Sequence, residues 1–188
     1  MINLHTPLVS DQIKKLKVGD QVLLSGTIFT ARDQAYNYLL KNNFSKIKNG
    51  VIYHAGPIVL EKKGKTIPVS AGPTTSSRFS LKSIKLIQKY GIKAFIGKGG
   101  MDDDAVKKAM KGKTVYLAAV GGAGVVYANA MKIKKIYLKK LGMADAICEL
   151  EVKDMPLIVT MDSQGRSIYH DVYKKSRKIT KQFLHEDI

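Results

Sequence analysis

Runs of strand-type residues that end in glycine, hydroxyl or basic residues and then pass into helix-type residues recur through the middle of this chain. That alternation limits the folds open to it. Gln21 to Phe29 reads as a strand, because Val22, Leu24 and Gly26 alternate with Leu23, Ser25 and Thr27. Thr30-Ala31-Arg32-Asp33 then leads into a helix through about Lys41, with Ala35, Tyr38 and Leu39 on one side. Val51 to Ala55 is a short strand, and a hairpin is predicted from Ile58–Leu60 and Thr66–Val69 across the charged turn Glu61 to Lys65. Gly56-Pro57 and Gly72-Pro73 end two extended pieces that are expected to face each other. Strands at Lys93–Ile96 and Thr114–Val120 run into the turns Gly97-Lys98-Gly99-Gly100 and Gly121-Gly122-Ala123-Gly124. Helices are predicted to follow, from near Asp102 or Asp103 and from Val125 to Met131. Lys135–Leu138, Ile147–Val152 and Leu157–Met161 complete the strands, and Asp162 to Gly165 is a turn. Alternation in the middle with hairpin-like segments at both ends predicts an α/β fold with a mixed sheet and flanking helices. One domain is expected over 1–188, with a polar lead-in at 1–16 and a basic tail at 176–188, helical or frayed.

Within this framework Ala71-Gly72-Pro73-Thr74-Thr75-Ser76-Ser77-Arg78 gathers several anion-seeking groups in eight residues. Gly72-Pro73 breaks the extended segment, and the hydroxyl residues that follow are helix N-cap types, so a helix is predicted from near Thr75. Phe79, Ser83, Ile84, Ile87 and Tyr90 recur at helical spacing, and Gly91 stands where a left-handed C-terminal residue is wanted. A helix start offers free N–H donors, and Arg78 in its first turn adds a fork that can grip a carboxylate through two parallel hydrogen bonds. The site reads as one for a carboxylate or phosphate; the alternative is an ordinary capped helix whose arginine points to water. Lys98 adds a point charge at a second glycine turn, which is not a P-loop: its spacing is wrong and Asp102 to Asp104 would repel a polyphosphate. His54 has no ligand-type neighbour and reads as a hydrogen-bonded structural residue.

The net charge of +17 invites a nucleic-acid reading, but the lysines are spread from Lys14 to Lys181 without an RNA-recognition signature, zinc-finger spacing or arginine arm. Neither nucleic acid nor membrane is expected as a partner, since no apolar run approaches the length of about 20 residues that a membrane span needs. No signal peptide is visible at Met1 to His5, and the lone Cys148 fits a cytoplasmic protein.

Five ordered segments together resemble one family, the C-terminal domain or separate β subunit of class I fumarate hydratases and L(+)-tartrate dehydratases. They are Leu24 to Asp33, Ala55-Gly56-Pro57, Gly72 to Arg78, Ile96 to Met101 and Leu157 to Gly165. The resemblance implies a single swivelling β/β/α domain whose cleft faces an α subunit carrying a [4Fe-4S] cluster. It implies reversible addition of water to a dicarboxylate double bond, with fumarate and tartrate not separated, one cluster iron acting as Lewis acid, and a hetero-oligomer such as α2β2. Carried over residue by residue, it makes Arg32, Arg78 and Lys98 the dicarboxylate binders and Thr74 the catalytic base, with no metal ligand on this chain.

Chemistry limits that assignment. A threonine hydroxyl takes a proton from carbon only if another base accepts its own, and no carboxylate stands beside Thr74 in the motif. The resemblance supplies an aspartate from the α subunit. A cluster of this kind needs about three or four thiolates, and the chain has one cysteine. The expectation is half of an enzyme, active only with its partner; the rival is a stand-alone module binding a small anion or nucleic acid.

Overall fold

The computed structural model of the chain describes residues 1–101 and 104–184. The elements run β1 (Ile2–His5), α1 (Ser10–Lys15), β2 (Gln21–Thr30), α2 (Asp33–Lys41), β3 (Val51–Tyr53), β4 (Ile58–Lys62), β5 (Lys65–Ser70), α3 (Ser80–Tyr90) and β6 (Ala94–Gly97). They continue with α4 (Asp104–Met110), β7 (Val115–Ala118), α5 (Gly124–Asn129), β8 (Met131–Tyr137), β9 (Ile147–Met161) and α6 (Ile168–Leu184). The predicted α4 start near Asp102 or Asp103 lies outside the described residues.

The predicted mixed sheet is present. β1, β3, β6 and β7 belong to its parallel part, with β2 pairing in parallel to both β1 and β3. β9 runs antiparallel to β2, β7 and β8. Because β9 pairs with β2 as well as with β7, the strands β2, β3, β6, β7 and β9 close into a ring, and β1 and β8 pair outside that circuit. β9 merges the two strands predicted at 147–152 and 157–161. Asp154 bridges them in a left-handed conformation, φ 51, and its N–H donates to Ser25 Oγ at 2.9 Å.

Successive residues of a strand point to opposite faces, and here both faces are buried. Val51 and Tyr53, Ala94 and Ile96, and Val115 and Leu117 enter one core together with Leu24, Ile28, Leu150 and Val152. The alternate residues Ile52, Phe95 and Tyr116 enter a second core against Tyr36 and Leu39 of α2, Leu86 and Ile87 of α3 and Val106 of α4. Strands buried on both sides read as continuous apolar runs, which is why the short central strands were legible. The N-terminal residues are not the polar lead-in expected: Leu4, Leu8, Ile13 and Leu16 are buried, and β1 extends the sheet. α6 starts well before Ser176, with Ser167 Oγ accepting the His170 N–H at 3.4 Å.

The predicted hairpin forms, with longer strands and a tighter turn. Lys63 and Gly64, φ 49 and 71, make the two-residue loop, a pair of positive φ values that matches the twist of a hairpin.

Candidate active site at the carboxyl ends of the parallel strands

Arg32 follows β2, the segment 54–78 follows β3, and Lys98 follows β6. Since β2, β3 and β6 are neighbours and parallel, all these loops leave the sheet at the same end. Backbone hydrogen bonds then fix them to one another. Ala55 bridges Pro73, and Thr75 bridges Lys98. Thr74 donates its N–H to His54 O at 2.6 Å, Lys98 donates to Thr74 O at 3.2 Å, and Ser76 donates to Lys98 O at 2.9 Å. The two glycine-bounded edges expected to face each other do so.

This bonding corrects the predicted helix start. Pro73 and Thr75 form bridges and Thr74 and Ser76 bond to His54 and Lys98, Ser77–Phe79 is a 3-10 turn, and α3 begins only at Ser80. Neither Thr74 nor Thr75 caps it: the N–H and C=O of Thr74 and the N–H of Ser76 serve the neighbouring strand ends, and the N-cap position falls to Phe79. The candidate anion site therefore does not lie at a helix N-terminus, and its available groups are side chains. Gly91 does close α3 as predicted, at φ 67 and ψ 34, with its N–H on Ile87 O.

Arg78 Nη2 lies 2.8 Å from Asp33 Oδ2, and both side chains are half-exposed. Asp33, the first residue of α2, thus ties the Arg78 loop to the residue after Arg32. Arg32 itself carries a buried Nε with no hydrogen-bond partner among the described residues. An unpaired buried donor on a cation costs free energy that a bound anion offsets. Lys98 is exposed and lies over Gly121, where an added Cβ would meet its Cδ at 3.5 Å. Thr74 is half-buried between these groups in sequence and bonding, and Thr75 is exposed.

Beneath the loop runs a buried hydrogen-bonded chain that the sequence did not reveal. Tyr116 OH donates to Ser76 Oγ at 2.8 Å, Ser76 Oγ meets His54 Nδ1 at 2.7 Å, and His54 Nε2 meets Tyr36 OH at 2.6 Å. Tyr36 OH then meets Ser83 Oγ at 3.0 Å, which donates to Met101 Sδ at 3.5 Å. One assignment uses every donor once: Ser76 donates to Nδ1, a neutral imidazole donates from Nε2 to Tyr36, and Tyr36 donates to Ser83. His54 is the structural residue expected, and its carbonyl and ring together hold Thr74 and Ser76.

The chain's first 172 residues match the family model described as Fumarase C-terminus. It is a member of that family. A Methanocaldococcus jannaschii protein provisionally named L(+)-tartrate dehydratase subunit beta is 44% identical over 177 residues, covering 89% of this chain and 91% of the relative. The Escherichia coli K12 L(+)-tartrate dehydratase subunit beta is 34% identical over 170 residues, 88% of this chain and 85% of that one. A Geobacillus stearothermophilus protein provisionally named fumarate hydratase class I is 38% identical over 186 residues, which is 97% of this chain and 36% of the relative. The chain thus spans about a third of that last protein's length.

The Fumarase C-terminus domain described here offers poor donors for an iron-sulfur cluster. Its one cysteine, Cys148, is buried in β9, and burial raises its thiol pKa. Among the described residues no group of three or more His, Cys, Asp or Glu side chains converges on a metal position. A single thiol does not fit a [4Fe-4S] cluster.

Burial, followed by the nearby Arg78 charge, lowers the His54 pKa from its ordinary 6.5 to about 3. The unfolded chain therefore binds a proton that the folded domain refuses. The contribution of neutral His54 to stability is fully present above about pH 6.5 and declines as pH falls toward 3, by at most about 1.4 kcal/mol per pH unit. Denaturant unfolding between pH 7 and 4.5 should show this slope in the wild type and a flatter one in His54→Asn. Parallel curves would show that the imidazole does not titrate on unfolding.

Proposed function

We propose that this chain is the substrate-binding subunit of a two-subunit iron-sulfur hydro-lyase that interconverts fumarate and malate. The observation that carries the reading is the buried, unpartnered Nε of Arg32, set at the strand ends that also present Arg78, Lys98 and the Thr74 hydroxyl. In this reading Arg32 and Arg78 grip carboxylates through their planar forks and Lys98 supplies a point charge. Thr74 Oγ takes the proton from the substrate carbon and passes its own to a carboxylate, while the hydroxyl leaves the adjacent carbon as hydroxide and becomes water with the proton that the carboxylate then releases. The partner α subunit supplies that carboxylate and holds the [4Fe-4S] cluster, for which this chain lacks the thiolates. The assembly proposed is α2β2 and cytoplasmic.

A second reading within the same chemistry is dehydration of L(+)-tartrate to oxaloacetate. It is favoured by the near full-length match to two proteins named tartrate dehydratase subunit beta. Reconstitution with the cognate α subunit decides between them. The isolated chain is expected to be colourless and inactive, and the reconstituted enzyme to turn over malate and fumarate faster than tartrate. Iron and sulfide bound stoichiometrically to this chain alone, or turnover without a partner, would end the proposed division of labour.

A further inference from the structure

β4 and β5 form a two-stranded sheet of their own, with Leu60 opposite Ile67. Side chains alternate along each strand. Val59, Thr66, Pro68 and Ser70 take the half-buried positions, and an added Cβ on Gly124 of α5 would come within 2.3 Å of Ser70 Oγ. Leu60 and Ile67 stand on the other face, and Ile58 and Val69, beside the register shift that sets Ile58 opposite Ser70, also reach water: Ile58, Leu60, Ile67 and Val69 are 64%, 53%, 41% and 48% exposed. Single exposed aliphatics are ordinary, but four branched ones grouped on one small sheet mark an interaction surface.

The hairpin springs directly from the candidate site. Pro57 precedes its first strand, the Ala55–Pro73 bridge closes its base, and Thr74 follows at once. We infer that the outer face of this hairpin is the docking surface for the α subunit and that docking there brings the α-subunit carboxylate to Thr74. The inference rests on the two-subunit reading above.

Two observations select this occupant. In the Geobacillus relative the matched region is only 36% of the protein, so there the same domain is joined to a larger remainder of one polypeptide. The face is also aliphatic and bordered at its tip by Lys62, Lys63 and Lys65, which suits a partner presenting an apolar patch with an acidic rim. A second copy suits it less, because two chains of net charge +17 repel.

The test titrates the separately purified cognate α subunit into the wild-type chain, into Leu60→Glu/Ile67→Glu, and into Val172→Glu as a control on α6. Two carboxylates placed in an apolar contact should weaken association by about a hundredfold or more. The melting temperature should fall only slightly, through repulsion of two opposed carboxylates at half-exposed positions, and the control should bind like wild type. Amides of 58–70 should gain protection from hydrogen exchange in the wild-type complex. Unchanged affinity of the double variant, or unprotected hairpin amides, would overturn the docking surface even if the reconstituted enzyme were active. Loss of binding in the double variant from a wild-type complex that dehydrates neither malate nor tartrate would leave the surface standing and remove the proposed reaction. A dimer of the chain alone that Leu60→Glu dissociates would give the face to a second copy, and no association of the wild-type pair would overturn both.

Discussion

Thr74→Ala in the reconstituted enzyme should lose roughly 10² to 10⁴-fold in kcat, the range a positioned general base contributes. Thr74 is held by backbone bonds on both sides, its N–H to His54 O and its C=O from Lys98 N–H. Removing the hydroxyl therefore takes away the oxygen without releasing the loop. Thr74→Ser keeps that oxygen and loses only the methyl that restricts χ1, so it should retain part of the activity. Thr75→Ala is the contrast. Thr75 neither caps α3 nor forms a side-chain hydrogen bond among those described, and its side chain is exposed, so its loss should leave chemistry and stability nearly unchanged. Exchange of the substrate's carbon-bound proton with solvent, measured at equal cluster content, separates the variants. Wild-type exchange in Thr74→Ala would remove Thr74 as the base, and a large loss in Thr75→Ala alone would move the role to its neighbour.

Gly97→Ala should have the largest effect on folding, although Gly97 touches no substrate in this reading. A Cβ there would lie 2.0 Å from Ser76 Oγ, 3.1 Å from Tyr116 OH and 3.2 Å from His54 Nδ1. All three belong to the buried chain under the site, so the methyl group cannot be accommodated by swinging a flexible tip into water. Overpacking costs about 1–3 kcal/mol. Displacing Ser76 also strands the Tyr116 hydroxyl and the His54 nitrogen at about 1–3 kcal/mol for each buried group. The expected destabilisation is at least about 3 kcal/mol, the lower limits of these terms together, a large part of the roughly 5–15 kcal/mol typical of whole proteins. Urea unfolding of Gly97→Ala, Ser76→Ala and the double variant checks the cause. If the clash with Oγ dominates, the double variant is more stable than the sum of the two single losses. Strict additivity would place the cost elsewhere.

The candidate site residues lay in motifs visible in the sequence, whereas the contacts that support them were not visible there. Arg32, Thr74, Arg78 and Lys98 stand at interruptions of periodic segments, where a glycine, proline or hydroxyl run marks a strand end, and the fold brings those ends to one side of the sheet. Asp33 and Ser76 lie inside the same motifs. Nothing in their spacing says that Asp33 pairs with Arg78, or that Ser76 joins His54 to Tyr116. The predicted helix start failed for a related reason: hydroxyl residues after Gly-Pro are good caps, but the strand ends at His54 and Lys98 compete for the same backbone groups and win.

By itself the sequence determined the kinds and approximate limits of the central elements, the hairpin and the turn at Gly91, because periods of two and 3.6 residues and the demands of a turn are local; the candidate site residues came from the family resemblance of its motifs. Only the tertiary structure decided that β9 closes the ring onto β2, that residues 2–15 join the sheet and its cover, and that a neutral histidine chain underlies Thr74. Those features depend on groups brought together from as far apart as Val22 and Leu157. Their partners are chosen by strand pairing and burial, which act through space and leave no period along the chain.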